Sequence, residues 1–152
     1  APVSELTQKG VNVGLGTDGA ASNNRLDIFE EMRLAALLAK GVSGQAENIG
    51  AHQAIRMATI CGARALGLDT QIGSIAVGKA ADLCAIDIGD IGLSPCYDPA
   101  SLLVYSAGRE HVSDVWVAGK CRVSAAHLLE TDEIELINLA ALWQNQIRPR
   151  NA

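Results

Sequence analysis

The feature that most constrains the fold is a short apolar segment that leads through a loop of small residues into an amphipathic helix. Residues 11–15 are apolar enough to predict a strand buried on both faces, as parallel strands are. Residues 26–40 carry apolar side chains at helical spacing, and Gly41 follows as a predicted stop. Ser22, Asn23 and Asn24 are candidate caps for the first turn. This order favours helices packed on a sheet, which is an α/β fold.

Further helices and short strands are predicted on both sides of this unit. From about residue 68 the pattern changes to short β-like segments separated by turns, with Ala118 and Gly119 in a tight hairpin turn. The β-like segments are residues 72–75, 83–86, 112–117 and 121–123. The predicted helices are residues 2–9 before Gly10, 51–66 before Gly67, 99–106 after Asp98 as a cap, and 132–147.

These elements divide the chain into three predicted parts. Residues 1–67 form an α/β part, residues 68–124 a small β-rich part with a short inserted helix, and residues 125–152 a terminal helix. With 152 residues, the chain is shorter than the roughly 250 residues of a complete (β/α)₈ barrel. Because it opens abruptly and without an initiator Met, we expect an upstream portion to be missing.

Composition excludes several classes of partner and compartment. A formal net charge of −5, with only two Trp, two Tyr and one Phe, gives neither the basic field nor the stacking platforms of a nucleic-acid binder. The longest strictly apolar run, residues 34–39, is too short to predict a membrane span, and the start lacks the pattern of a signal peptide. The four cysteines lack metal-ligand spacing, which predicts free thiols and a cytoplasmic protein.

Asp18 is the candidate functional residue. It lies just past the carboxyl end of the predicted strand, where α/β sheets and barrels place catalytic groups, and Gly16 and Gly19 flank it. Asp-Gly is also a strong turn signal in its own right. The position of Asp18 alone is therefore compatible with two roles, an ordinary turn residue and a catalytic carboxylate. Farther along, Glu30, Glu31 and Arg33 predict a solvated helix face.

Several sequence runs, in the same order as in a known family, carry a resemblance. They are V-G-L-G-T-D-G-A-A-S-N-N at 13–24, L-D-I-F-E-E-M-R at 26–33, I-G-S-I-A-V-G-K-A-A-D-L at 72–83, D-P-A-S-L-L-V-Y at 98–105 and V-W-V-A-G-K at 115–120. Together they resemble the amidohydrolase superfamily, and within it the branch of 5-methylthioadenosine/S-adenosylhomocysteine deaminases and triazine chlorohydrolases.

The resemblance implies a metal-dependent (β/α)₈ barrel with an accessory β-sandwich. The chain would then be a C-terminal fragment: the last barrel strand and following helices, part of the small β-sandwich and a terminal helix. Asp18 matches the family's metal-binding aspartate, which also relays a proton from metal-bound water and contacts the substrate. The implied cofactor is a divalent metal, with zinc expected. Ser22, a few residues later, lines the substrate pocket or caps the helix.

The chain departs from the family pattern in its histidines. It has only His52, His111 and His127, and none lies in the H-x-H context of the family's other ligands. We read all three as surface or boundary residues. A catalytic zinc takes about three protein ligands plus water, so we expect this chain to lack most of the active site and to be inactive alone. Its expected partner is the rest of the barrel, or another copy of the chain at an open sheet edge.

Three functional hypotheses remain at this stage. The first is the C-terminal portion of an enzyme that deaminates adenosine-type nucleosides with metal-activated water. The second, which uses the same Asp18, is a triazine-type chlorohydrolase or aminohydrolase. The third is a non-catalytic fragment without the histidine ligands. The expected substrate is a small nucleoside-like molecule in the first hypothesis and a triazine-like ring in the second.

Overall fold

A computed structural model describes residues 2–147; residue 1 of the first predicted part and residues 148–152 of the last lie outside the described residues. The helices are α1 (Val3–Gln8), α2 (Ile28–Ser43), α3 (Ala51–Ala58), α4 (Ile60–Ala65), α5 (Pro99–Tyr105) and α6 (Glu133–Ile147). The strands are β1 (Leu83–Ile86), β2 (Val112–Val117), β3 (Lys120–Ser124) and β4 (His127–Leu128), and short 3₁₀ turns span Ile91–Leu93 and Arg109–His111. The mixture of helix and sheet agrees with the predicted α/β class. None of the helices in the described part is both long and apolar enough to cross a bilayer.

The sheet is antiparallel, with its four strands in the order β1-β2-β3-β4. The predicted hairpin between β2 and β3 is confirmed: Ala118 and Gly119 have φ of 49° and 77°, as a type I′ turn requires. Asp82 fixes this turn from outside the hairpin, because its Oδ1 accepts a hydrogen bond of 2.7 Å from the Ala118 backbone N–H. The side chain just before β1 therefore helps to set the β2–β3 turn.

The core lies where α2, α3 and α5 meet. Small side chains allow this close approach: Ala36 of α2 and Ala54 of α3 have no solvent exposure, and Val104 of α5 has none either. The buried cluster also contains Phe29, Met32, Ala39, Ile49, Ala51, Met57, Leu93 and Ala107. Because α5 comes from the β-rich part of the sequence, the helical part and the β-rich part share one core.

The strand predicted at residues 11–15 is not formed. The segment makes one backbone bond to α3, from Leu15 N–H to the Met57 carbonyl at 3.0 Å, and Val11 keeps 49% of its surface exposed. A strand needs a neighbour to satisfy its backbone groups, and no strand in residues 2–147 pairs with this segment. The prediction of burial on both faces is therefore wrong for the chain as described.

Residues 72–75 are also not a strand. Gly73 has a φ of +83°, and the Lys79 ammonium donates to the Ile72 carbonyl at 3.1 Å. Ala80 N–H donates to the Gln71 carbonyl at 2.9 Å. These contacts close the segment into a turn, so its backbone groups are satisfied locally rather than by a sheet.

Two predicted helix bounds are corrected. The helix expected at residues 51–66 is interrupted at Thr59, whose φ of −126° and ψ of −97° separate α3 from α4. Helix α2 continues through Gly41 and ends at Ser43; Gly44 caps its C-terminus with a left-handed φ of 67° and donates its N–H to the Lys40 carbonyl. A helical glycine costs about 1 kcal/mol, and the core packing of α2 before Gly41, through Met32, Ala36 and Ala39, offsets that cost.

The terminal helix forms where it was predicted, but the described chain leaves its apolar side chains in solvent. Ile134 and Ile137 are about two-thirds exposed, and Trp143 is 56% exposed. No residue of α6 is buried. The amphipathic pattern therefore correctly predicts the helix, while the surface that would cover it is absent from residues 2–147.

Asp98 caps α5 as predicted. Its carboxylate accepts hydrogen bonds from the Ser101 hydroxyl (2.6 Å), the Ser101 backbone N–H (3.1 Å) and the Ala100 backbone N–H (3.3 Å). These hydrogen bonds, of which the one from the Ser101 hydroxyl has the largest effect, lower the pKa of Asp98 below its ordinary value. The ionised carboxylate is therefore stabilised in the folded state.

This cap predicts a pH-dependent contribution to stability. Since the folded pKa of Asp98 is lowered, its contribution is present above the unfolded pKa and is lost as pH falls through the folded pKa. Asp98→Asn keeps an acceptor but removes the charge, so we expect its melting temperature to lie below wild type at neutral pH. The melting temperatures of wild type and Asp98→Asn should converge as the pH drops below about 4.

Ser101→Ala is the matched control, because it removes the main donor and keeps the carboxylate. In that background the pH-dependent difference caused by Asp98→Asn should shrink. Melting curves from pH 2 to 7 test this expectation, and a difference that stays constant over the whole range would contradict it.

Candidate functional site

Asp18 is exposed and lies at the end of the extended segment that runs from residue 11, directly before a turn at residues 19–22, which is called the Asp18 turn below. Its φ of +61° is left-handed, a conformation that Asp tolerates better than most residues. Its Oδ1 accepts a hydrogen bond of 2.7 Å from the Gly19 N–H. The described residues offer Oδ2 no hydrogen-bond donor. The sequence features that predict a turn and an accessible carboxylate are thus both present at this residue.

The segment before Asp18 is held against the interruption between α3 and α4. Asn12 Nδ2 donates to the Cys61 carbonyl at 2.8 Å, and Leu15 N–H donates to the Met57 carbonyl at 3.0 Å. Between these bonds, a Cβ on Gly14 would lie 2.8 Å from the Gly62 Cα. The two backbones therefore approach more closely than any side chain at position 14 permits, and this contact sets where Asp18 lies.

Ser22 lies in the turn that follows, and it does not cap α2. Its N–H donates to the Gly19 carbonyl at 2.9 Å, and the residue is exposed. The cap is Asp27, which is only 4% exposed and accepts a hydrogen bond of 3.0 Å from the Phe29 N–H. The candidate caps Ser22, Asn23 and Asn24 are therefore wrong. The D-x-x-E spacing from Asp27 to Glu30 is the signal that identifies the cap in the sequence.

Asn23 instead joins the turn to the side of α2. Its Oδ1 accepts from the Arg25 N–H at 3.0 Å, and its Nδ2 donates to Glu31 Oε1 at 2.7 Å. Arg25 Nε also pairs with Glu30 Oε2 at 3.1 Å. The prediction of a simply solvated face for Glu30 and Glu31 is wrong, because the loop after Asp18 folds back onto both carboxylates.

Two arginines connect this region to the segment before β2. From α2, Arg33 Nη2 donates to the Ala107 carbonyl at 2.5 Å, so Arg33 is not part of a solvated face either. In the other direction, Arg109 Nη1 donates to the Arg25 carbonyl at 2.9 Å. No local sequence pattern predicts the role of Arg109, because 84 residues separate it from Arg25.

The histidines and cysteines do not gather at Asp18. His52 and His127 are exposed, and His111 Nδ1 accepts a hydrogen bond of 3.0 Å from the Gly108 N–H. All four cysteines are free, and burial raises the pKa of the Cys84 thiol. Within residues 2–147, no three His, Cys, Asp or Glu side chains lie close enough to hold a metal ion. The described chain thus offers one carboxylate as a ligand, which does not make a zinc site alone.

This chain is similar to a known protein family and to curated proteins within it. The model of the "Amidohydrolase family" matches residues 1–122. The 5-methylthioadenosine/S-adenosylhomocysteine deaminase of Teredinibacter turnerae is 51% identical over 146 residues, which are 96% of this chain and 33% of that protein. The chain therefore spans about a third of the length of this curated relative.

Solved structures likewise match nearly the whole of this chain over about a third of their own length. An adenosine deaminase from Xanthomonas campestris with bound zinc matches 97% of this chain and 34% of its own, with a TM-score of 0.95 and 44% identity. An atrazine chlorohydrolase from Arthrobacter aurescens TC1, complexed with zinc, matches 93% of this chain and 32% of its own, with a TM-score of 0.86 and 28% identity. The arrangement of helices, loop and sheet described above is thus the one found in these larger proteins.

The contact between Gly14 and Gly62 gives a prediction for the segment that carries Asp18. Gly14→Ala should lower the free energy of unfolding by about 1–3 kcal/mol, because the added Cβ would meet backbone that cannot move aside cheaply. Gly16→Ala is the matched control, since a Cβ there meets nothing within 4 Å. Its effect should stay within about 0.5 kcal/mol. Urea unfolding measures both variants, and equal midpoints would show that the close approach is not required.

Proposed function

The chain belongs to the amidohydrolase family, and we propose that it is the C-terminal portion of a metal-dependent enzyme that deaminates adenosine-type nucleosides. The observation that carries the proposal is the match of nearly the whole chain, with a TM-score of 0.95, to a zinc-bound adenosine deaminase. The 51% identity to a 5-methylthioadenosine/S-adenosylhomocysteine deaminase favours 5′-substituted adenosines as substrates. No nucleic-acid polymer or membrane is required as a partner.

In this proposal the extended segment at residues 11–15 is the last strand of the barrel. The division into residues 1–67, 68–124 and 125–152 then corresponds to the last strand with its helices, part of the β-sandwich, and the terminal helix. Two observations support it: the segment has no paired strand within residues 2–147, and the apolar side chains of α6 are exposed. The relatives' additional length is the natural source of both missing partners. A cytoplasmic location remains a prediction from the sequence.

Asp18 carries the chemistry in this proposal, as one metal ligand and as the group that moves the proton. A divalent metal held there, zinc by analogy with the solved relatives, would act as a Lewis acid that makes water a better nucleophile at neutral pH. The Asp18 carboxylate takes the proton of the attacking water and delivers it to the amino group that leaves the purine ring as ammonia. Its exposed position at the end of the segment fits this role, because the group must reach both water and substrate. The remaining ligands come from outside the described residues.

Ser22 is proposed to contact the substrate. Helix capping, the other role expected for Ser22, is carried out by Asp27. Ser22 is four residues beyond Asp18 and is exposed in the turn that follows it. Its hydroxyl is therefore available to a ligand bound beside the Asp18 carboxylate.

A triazine-type hydrolase is the second candidate, and the match to the zinc-bound atrazine chlorohydrolase favours it. In both reactions water attacks a carbon of a nitrogen-rich aromatic ring, and in both the Asp18 carboxylate would take the proton. The lower identity, 28% against 44% for the adenosine deaminase, ranks this candidate below deamination. A non-catalytic fragment is the remaining alternative, and metal analysis of the full-length polypeptide separates it from both enzymes.

The activity is tested on the full-length polypeptide that contains this sequence, purified with zinc or manganese. Ammonia release from 5-methylthioadenosine, S-adenosylhomocysteine and adenosine should be measured together with atrazine dechlorination. We expect Asp18→Asn to lower kcat by at least about a hundredfold, as loss of a general acid–base typically does. Metal content, measured by mass spectrometry of the digested protein, should also fall.

Asp82→Asn is the matched control, because the amide oxygen still accepts the Ala118 N–H at the hairpin turn. It should retain wild-type rates and metal. A wild-type protein that binds no metal and releases no ammonia from any aminopurine would overturn the proposed function.

Ser22 gives a separate prediction. Ser22→Ala should raise KM for the nucleoside about fivefold, the effect of one lost hydrogen bond of about 1 kcal/mol, with a smaller change in kcat. The melting temperature should not change, since Ser22 does not cap α2, whereas Asp27→Ala should cost about 1 kcal/mol. Ser74→Ala, another exposed serine in a turn, is the kinetic control. An unchanged KM in Ser22→Ala would remove this residue from the site.

A further inference from the structure

We propose that Arg109 is a positioning residue, which fixes the loop at residues 19–27 from the β-rich part of the chain and thereby holds the Asp18 turn in place. The inference rests on the proposed function of Asp18. Its first basis is the bond from Arg109 Nη1 to the Arg25 carbonyl, at 2.9 Å. The loop's other contacts, through Asn23, Arg25 and Asp27, are made within the loop or to the adjoining helix α2.

The loop begins at the Asp18 turn and ends at the first turn of α2. At its start, the N–H groups of Ser22 and Asn23 both bond to the Gly19 carbonyl, at 2.9 and 3.0 Å. Near its end, Leu26 has a left-handed φ of 50°, which is an uncommon conformation for a leucine. A loop with this backbone is held by its surroundings rather than by its own preference. Arg109 donates a hydrogen bond to the carbonyl of Arg25, the residue immediately before Leu26.

A second arginine, Arg33, connects the same two parts of the chain in the opposite direction. Arg33 reaches from α2 to the Ala107 carbonyl, while Arg109 reaches from the same short segment back to Arg25. Ala107 has no solvent exposure, and Arg33 Nε is buried without a partner within the described residues. Keeping a guanidinium there is costly, and its Nη2 bond to Ala107 ties the 107–109 segment to the helix. The two bonds run in opposite directions between the same two pieces of chain.

The segment that carries Arg109 is itself fixed to the sheet. His111 Nδ1 accepts from the Gly108 N–H at 3.0 Å, which closes the turn around Arg109. The His111 carbonyl accepts from the Asp87 N–H at 2.8 Å, just beyond β1. Arg109 therefore projects from a turn anchored on β1 and β2. The sheet, which contributes no residue to the proposed chemistry, acts on the site through this side chain.

The experiment compares Arg109→Ala, Arg109→Lys and Arg122→Ala in the full-length polypeptide. Arg122 is the matched control, because it is a half-exposed arginine of the same sheet that pairs with Glu130 rather than with the loop. Hydrogen exchange followed by mass spectrometry reports on the amides of residues 19–27. Steady-state ammonia release gives kcat and KM for 5-methylthioadenosine.

We expect Arg109→Ala to speed exchange in residues 19–27 and to lower kcat/KM about threefold to fivefold, as loss of one exposed hydrogen bond predicts. Arg109→Lys keeps one donor and should recover most of both losses. Arg122→Ala should change neither. A role limited to global stability would instead move the melting temperature and the exchange of all peptides together.

Two results would overturn the inference. One is unchanged exchange of residues 19–27 in Arg109→Ala; the other is faster exchange with unchanged kcat/KM. A wild-type protein without ammonia release overturns the proposed function and the catalytic part of this inference. The exchange measurement then still decides whether Arg109 holds the loop.

Discussion

The contact between two glycines, Gly14 and Gly62, is the constraint on which the arrangement of the site depends. It lets the extended segment lie directly on the backbone where α3 gives way to α4, between the bonds of Asn12 and Leu15. The interruption at Thr59 accompanies this contact, and the Met57 and Cys61 carbonyls beside it receive the segment's two donors. Asp18 follows three residues after Leu15, so its place relative to the core is set by backbone packing.

Besides the apolar core, against which Val13 and Leu15 pack, polar contacts connect the loop after Asp18 to the rest of the chain. Asn23 and Arg25 fold the loop onto α2, and Arg33 and Arg109 connect α2 and the loop to the turn before β2. The β-rich part of the chain thereby contributes to the order of a loop that lies far from it in sequence. The sheet is a scaffold for the site even though it carries none of the proposed chemistry.

Local patterns predicted the fold wherever the forces that form an element are local. The β2–β3 hairpin, the Asp98-capped helix α5 and the extent of α6 follow from turn residues, caps and helical periodicity within a few positions. The errors have a different origin. Residues 11–15 read as a strand, but a strand exists only if another strand pairs with it. The break at Thr59 and the loop's contacts with Glu30 and Glu31 likewise depend on neighbours that no local pattern reveals.

The sequence by itself determined the α/β class, the family resemblance and Asp18 as the candidate carboxylate, because turn chemistry, periodicity and ordered motifs are properties of neighbouring residues. Only the tertiary structure decided that Asn23 joins the turn to Glu31 and that Arg109 holds the loop. These contacts depend on the space between backbones and on the reach of long side chains. Such quantities arise when distant segments pack together, and they are not encoded in the spacing of residues along the chain.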